Sequence, residues 1–150
     1  MTRKKYFMLA GVVVVILVGV FLFLNKDGGF TVLASYNNPI YKYSLGIPKE
    51  WQGKYEIQES SDFRTASFIY SNDQKKSPIM TLVIFNKNEW DLIPDKSGAG
   101  TELGTKDNNV FLYLAYPISQ GNPYEGQAGK EFSSFVKQAN LVAKTFKFAE

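Results

Sequence analysis

IMTLVIFN, Ile79 to Asn86, is the stretch on which the fold turns. Met80, Leu82 and Ile84 alternate with Thr81, Val83 and Phe85, and the second set is nearly as apolar as the first. A half-buried strand alternates apolar with polar; a strand apolar at both sets of positions is covered on both sides. The segment therefore predicts a central strand of a sheet with material on each face.

Downstream, Lys87 to Ile93 predicts a turn of helix and Pro94 to Gly104 a loop, with a short strand through Glu102 to Lys106. Lys106, Asp107, Asn108 and Asn109 form a turn, because Asn tolerates positive φ. Val110 to Tyr116 is a second two-faced apolar strand, stopped by Pro117, so the turn predicts a hairpin. After a loop with Gly121 and Pro123, the period lengthens. Phe132, Phe135, Ala139, Val142 and Phe146 recur three or four apart, with Lys130, Lys137 and Lys144 on the other side. A helix from Glu125 or Ala128 to Ala143 follows, lying across one face of the sheet.

Upstream, Asn72 to Pro78 is a polar hairpin tip and Phe63 to Ser71 an aromatic and β-branched strand. Lys54 to Glu59 alternates, as does Tyr41 to Ile47, which Pro48 stops ahead of a short turn at Lys49 to Trp51. Asn25 to Asn38 reads as a linker with Gly28 and Gly29 as its flexible point. The fold class is α+β, an antiparallel β-sheet with a C-terminal helix packed on one face. The expected divisions are 1–25 for a tail and anchor, 26–38 for a linker, and 39–150 for the domain.

The anchor is the run from Tyr6 to Leu24, free of charge and of proline. As a helix it reaches about 28 Å, close to the roughly 30 Å of a bilayer's hydrocarbon. Arg3, Lys4 and Lys5 precede it with no acid among them, which predicts a cytoplasmic N-terminus and export of everything after Lys26. The expected location is the cell membrane, with a single pass and the domain outside the cytoplasm. A cleaved secretory signal is the competing reading, but such a signal has a shorter apolar core and a nearby small-x-small site. Here the run is followed by Asn25, Lys26, Asp27, Gly28 and Gly29.

The formal charge of +3 arises from 17 Lys and Arg against 14 Asp and Glu. Without Arg3, Lys4 and Lys5, the basic residues number 14 as well, so the exported part is neutral overall. That removes the electrostatic footprint of a nucleic-acid binder. The chain has no cysteine and no histidine. Disulfides and thiolate metal sites are thereby excluded, along with the commonest metal ligand and the commonest general base near neutral pH. A disulfide-free exported domain of this size fits a bacterial envelope.

YKYSLGIPKEWQGKYEI, Tyr41 to Ile57, resembles the Tyr-x-Phe-Ser-x-x-x-Pro-x-x-Trp opening hairpin of PsbP-like domains, and ANLVAKTFKF, Ala139 to Phe148, resembles their terminal helix and tail. The resemblance implies an α+β sandwich with helices on a central antiparallel sheet. PsbP proteins assist photosystem II; with no histidine here, the resemblance transfers no metal-binding residue.

Candidate site residues are few. Trp51 and Trp90 are the aromatic anchors a recognition surface would use, set against the alternative that each packs into the domain. Glu89, Asp91 and Asp95 are hard oxygen donors that could converge on calcium or work as an acid and base pair, set against ordinary solvated loop carboxylates. The GAGTELG loop, Gly98 to Gly104, lacks the Lys-Ser/Thr ending of a phosphate loop, and no Gly-x-Ser-x-Gly elbow is present. The sequence thus predicts a membrane protein with no catalytic residue and no cofactor. Its partners are the lipid bilayer through residues 6–24 and another envelope protein, with no nucleic acid. The alternatives are an envelope hydrolase or calcium module on Glu89, Asp91 and Asp95, and a sensor or accessory of a neighbouring membrane complex.

Overall fold

In a computed structural model describing residues 30–72 and 75–149, the chain runs as follows. β1 (Val32–Asn38) and β2 (Tyr43–Pro48) lead into a single 3-10 turn at Lys49–Trp51. β3 (Tyr55–Glu59), β4 (Thr65–Ser71) and β5 (Lys76–Asn86) come next, followed by the short helix α1 (Lys87–Asp91). β6 (Thr101–Lys106), β7 (Asn109–Ala115), the long helix α2 (Gly126–Lys144) and β8 (Lys147–Phe148) complete it. Two antiparallel sheets result, one ordered β3-β4-β5-β7-β6 and the other β1-β2-β8. The two-faced strand β5 is the middle of five.

Its inner row, Leu82 and Ile84, is continued across the ladder by Ala66 on one side and by Tyr113 and Phe111 on the other. This row faces a core closed by α2, whose Phe132, Phe135, Ala139 and Val142 are all buried. The three-stranded sheet fills the rest of that layer. Tyr36 meets Phe68 edge-on at 5.5 Å between ring centroids, and Tyr43 meets Phe111 at 5.7 Å. Such tilted contacts add specificity to an already apolar core.

Among the described residues, the outer row of β5 and β7 is covered at one end only. There Trp90 of α1 packs with Val110 and Leu112 of β7, flanked by Phe85, Ile93 and Ala99. This small second core explains why both strands are apolar on two faces. Elsewhere the outer row is half-buried and partly polar, with Ser67 and Thr81 hydroxyls 3.1 Å apart.

The β6–β7 turn places Asp107 and Asn108 at φ of 50° and 60°. Two successive left-handed residues match the twist of the strands they join, as the turn's composition predicts.

Three expectations change. Val32–Asn38, expected as linker, is strand β1, paired along its length with β2, and the domain therefore begins before residue 39. The reason is Asn38, which is buried and whose Oδ1 accepts from the Ile40 and Tyr41 amides at 3.0 and 2.8 Å, turning the chain back into β2. Second, Tyr43–Pro48 and Tyr55–Glu59 are not a hairpin: β2 pairs β1 and β8, whereas β3 pairs β4. Pro48 and the 3-10 turn carry the chain from one sheet to the other. Third, the single sheet expected is two. The expected anchor, Tyr6 to Leu24, and its flanking Arg3, Lys4 and Lys5 lie outside the described residues; among the described residues no helix is long and apolar enough to cross a membrane.

Candidate functional site

The residues predicted as a site do not converge. Trp51 is fully buried, stacked on Phe135 at 5.5 Å, and its indole N–H donates to Gln138 Oε1 at 2.8 Å. It offers no surface to a partner. Trp90, 8% exposed, is the centre of the outer core, with the Lys96 ammonium 5.3 Å above its ring. Glu89 completes the capping box of α1, accepting from the Asn86 amide at 3.3 Å, and lies 3.4 Å from Arg64 Nη1. Asp91 pairs with Lys87 one turn back at 2.7 Å. Asp95 accepts from the Ser97 amide at 2.9 Å, which holds its carboxyl below the usual carboxylate range. Each acid is occupied by its own neighbourhood, and among the described residues no group of three metal-ligating side chains forms.

A second polar cluster sits where β1 meets the large sheet. The Tyr36 hydroxyl donates to Glu59 Oε1 at 2.5 Å, and Asn38 Nδ2 donates to the Phe63 carbonyl at 3.1 Å. Burial first, and then the Glu59 carboxylate, push the Tyr36 phenol far above its ordinary range; burial also raises Tyr43. The cluster reads as the fastening of β1.

A concave surface lies between α2 and the connection from β7. Pro117 ends the strand, a 3-10 turn spans Ile118–Gln120, and Gly121 at φ 72° reverses the chain toward the helix. Asn122 then fastens it. Its Nδ2 donates to the Gly129 carbonyl at 2.7 Å and to Ser133 Oγ at 3.0 Å, while its Oδ1 accepts from the Tyr124 amide at 3.0 Å. The Tyr116 hydroxyl donates to the Gly121 carbonyl at 3.0 Å. Between these fixed walls runs a groove of about 250 Å³ lined by Tyr116, Gly121, Asn122, Phe132, Ser133, Val136 and Lys137. It continues toward the start of α2 as a wider, shallower trough carrying Lys130, Ser134 and Lys137.

The electrostatics of the two sides of α2 differ. On one side Glu131 pairs with Lys54 and accepts from the Tyr70 hydroxyl at 2.8 Å. The Lys54 ammonium, with help from Tyr70, holds Glu131 below the usual carboxylate range, and burial together with Glu131 pushes Tyr70 up to about 12. On the groove side Lys130 and Lys137 have no carboxylate at ion-pair distance among the described residues.

Sequence reasoning missed this groove. Two signals pointed to it: Val136 is apolar yet lies beside the Phe132, Phe135, Ala139 stripe, and Asn122 sits between glycine and proline in a loop. Compared with known proteins, the chain matches no family model, no curated protein and no solved structure.

Proposed function

We propose that this chain is a single-pass protein of a bacterial envelope. Its N-terminus is cytoplasmic, and its α+β domain, PsbP-like in architecture, lies outside the membrane and works by binding rather than by catalysis. The apolar run Tyr6 to Leu24 with Arg3, Lys4 and Lys5 before it supports the topology. The observation that carries the binding role is the groove along α2, an apolar cleft whose walls are held rigid by hydrogen bonds made within the protein. Preformed clefts of this kind bind with little ordering cost.

Both halves can be tested on the full chain. No cysteine competes for a thiol label, so Ser134→Cys, at an exposed position on the groove side of α2, reports topology. Labelling of intact cells by a membrane-impermeant maleimide is the expected result; labelling only after lysis overturns the topology. Cross-linking in native membranes followed by affinity capture tests the role. The expected outcome is one membrane complex recovered by the native chain and lost in folded Val136→Glu. Equal recovery by the two removes the groove as the partner surface.

A further inference from the structure

We propose that the groove holds the tail of a free single-chain amphiphile with an anionic head, the tail between Tyr116, Phe132 and Val136 and the head against Lys130 and Lys137. This rests on the binding reading above and names the ligand class for the same site.

Three observations lead there. First, the groove has two chemically distinct ends, an apolar cleft of about 250 Å³ and a trough with lysines. An elongated ligand apolar at one end and polar at the other matches both. Second, the lining carries charge of one sign. Lys130 and Lys137 line the trough without a carboxylate among the lining residues; Glu131 is turned to Lys54 and Tyr70, and Glu125, the exposed N-cap residue between Tyr124 and Gly126, is the one acid beside the trough's outer end. An anion placed there gains two cations and meets no repulsion from the lining.

Third, the walls favour a hydrocarbon over a peptide. The Asn122 amide, the Gly121 carbonyl and the Tyr116 hydroxyl that edge the cleft are already joined to partners inside the protein. A peptide backbone entering the cleft would shed its water and find these groups taken, at a cost an acyl chain does not bear. A membrane phospholipid brings two chains where the cleft has room for one narrow group.

The full chain in phosphatidylcholine nanodiscs, titrated with octanoate, octanol and octylammonium, provides the test, read at the Val136 methyl resonances in NMR with Leu92, on the far side of the domain, as control. Octanoate should shift Val136 saturably and leave Leu92 unmoved, and octylammonium should bind about tenfold more weakly, the size expected for losing one charge-assisted contact. Lys130→Gln with Lys137→Gln should weaken octanoate to the same degree and leave octanol unchanged. Lengthening the tail by one methylene should tighten binding about two- to fourfold until the cleft is full.

Equal affinity for octanoate and octylammonium, or no saturable shift, overturns the proposal. So does tighter binding of an acidic peptide with one leucine, which would reassign the groove to a protein. A Val136 shift on doping the nanodisc with phosphatidylglycerol would reassign it to membrane lipid. A failed octanoate titration beside an intact, groove-dependent capture leaves the binding role standing and removes only this ligand.

Discussion

Asn122 and Gly129 meet at 2.7 Å, amide nitrogen to carbonyl oxygen, and this bond sets how the loop after β7 sits on α2. The approach is close enough that Gly129 has no room for a side chain: a Cβ there would lie 2.6 Å from the Tyr124 carbonyl oxygen. Gly129→Ala should therefore destabilise the domain by about 1 to 3 kcal/mol, the cost of overpacking against backbone, which outweighs the roughly 1 kcal/mol that alanine adds to a helix. Asn122→Ala should cost about as much, by leaving the Tyr124 amide and the Gly129 carbonyl without their partner. Urea unfolding of each variant decides it, and a stabilised Gly129→Ala would mean that the loop is not seated on the helix.

Asn38 carries the turn that brings β1 against β2. Its side chain serves two amides and one carbonyl from a buried position. Asn38→Ala should cost about 1 to 3 kcal/mol in chemical denaturation. Hydrogen exchange should then rise along Val32–Asn38 ahead of the five-stranded sheet, because β1 is an edge strand whose return into β2 Asn38 holds.

The Trp51–Gln138 bond links the 3-10 turn between the sheets to α2. Removing Gln138 leaves a buried indole N–H without its acceptor, so Gln138→Ala should lose about 1 to 3 kcal/mol in the native background and much less when Trp51 is already Phe. The coupling in that double-mutant cycle measures the bond. Additive losses would show that Gln138 acts by packing alone.

The pH dependence has two limbs of opposite origin. Glu131 is held below its ordinary value by Lys54, so its contribution is present above the unfolded value near 4.3 and is lost as pH falls through the folded one. Glu131→Gln should flatten the decline in stability below about pH 4. The phenol of Tyr70 is raised to about 12, and Tyr36, Tyr43, Tyr55 and Tyr113 are raised as well, each chiefly by burial. Their contribution is complete below the unfolded value near 10 and is lost above it, so unfolding midpoints should drop steeply from about pH 10 upward. Midpoints measured across both limbs check the signs.

Glu89 is a structural cap on α1. Glu89→Ala should lose about 0.5 to 2 kcal/mol, while Glu89→Gln, which can serve the same N3 position, should lose little. Its exposed contact with Arg64 adds only marginally to that sum. Equal damage from the two substitutions would show that the charge, and not the cap, matters.

What was legible in the sequence was local. Asp107 and Asn108 mark their hairpin because consecutive left-handed residues leave a compositional trace, and α2 shows because one face repeats every three to four residues. β5 and β7 announced their central place through two apolar faces. β1 was hidden: Leu33, Ala34 and Ser35 are exposed, only Tyr36 and Asn38 are buried, and so short an alternation ending in asparagine looks like a linker. The parting of β2 from β3 was equally invisible, since Lys49 to Gly53 would suit a hairpin or a crossing between sheets. The groove needs Asn122 to find Gly129 and Ser133 across a turn of chain and helix, and no period encodes that.

The β2–β8 pairing has a kinetic meaning. The Gly46 amide donates to Thr145 Oγ1 at 2.7 Å across 99 positions, and Tyr43 is registered with Phe148. One of the earliest strands to leave the ribosome thus waits for one of the latest before the small sheet is whole, and α2, which closes the core, is equally late. Contacts of such long separation slow folding, because the loop between them must be closed before they stabilise anything. The small sheet and the helix that closes the core therefore form last, once Tyr43 and Phe148 are both free to meet.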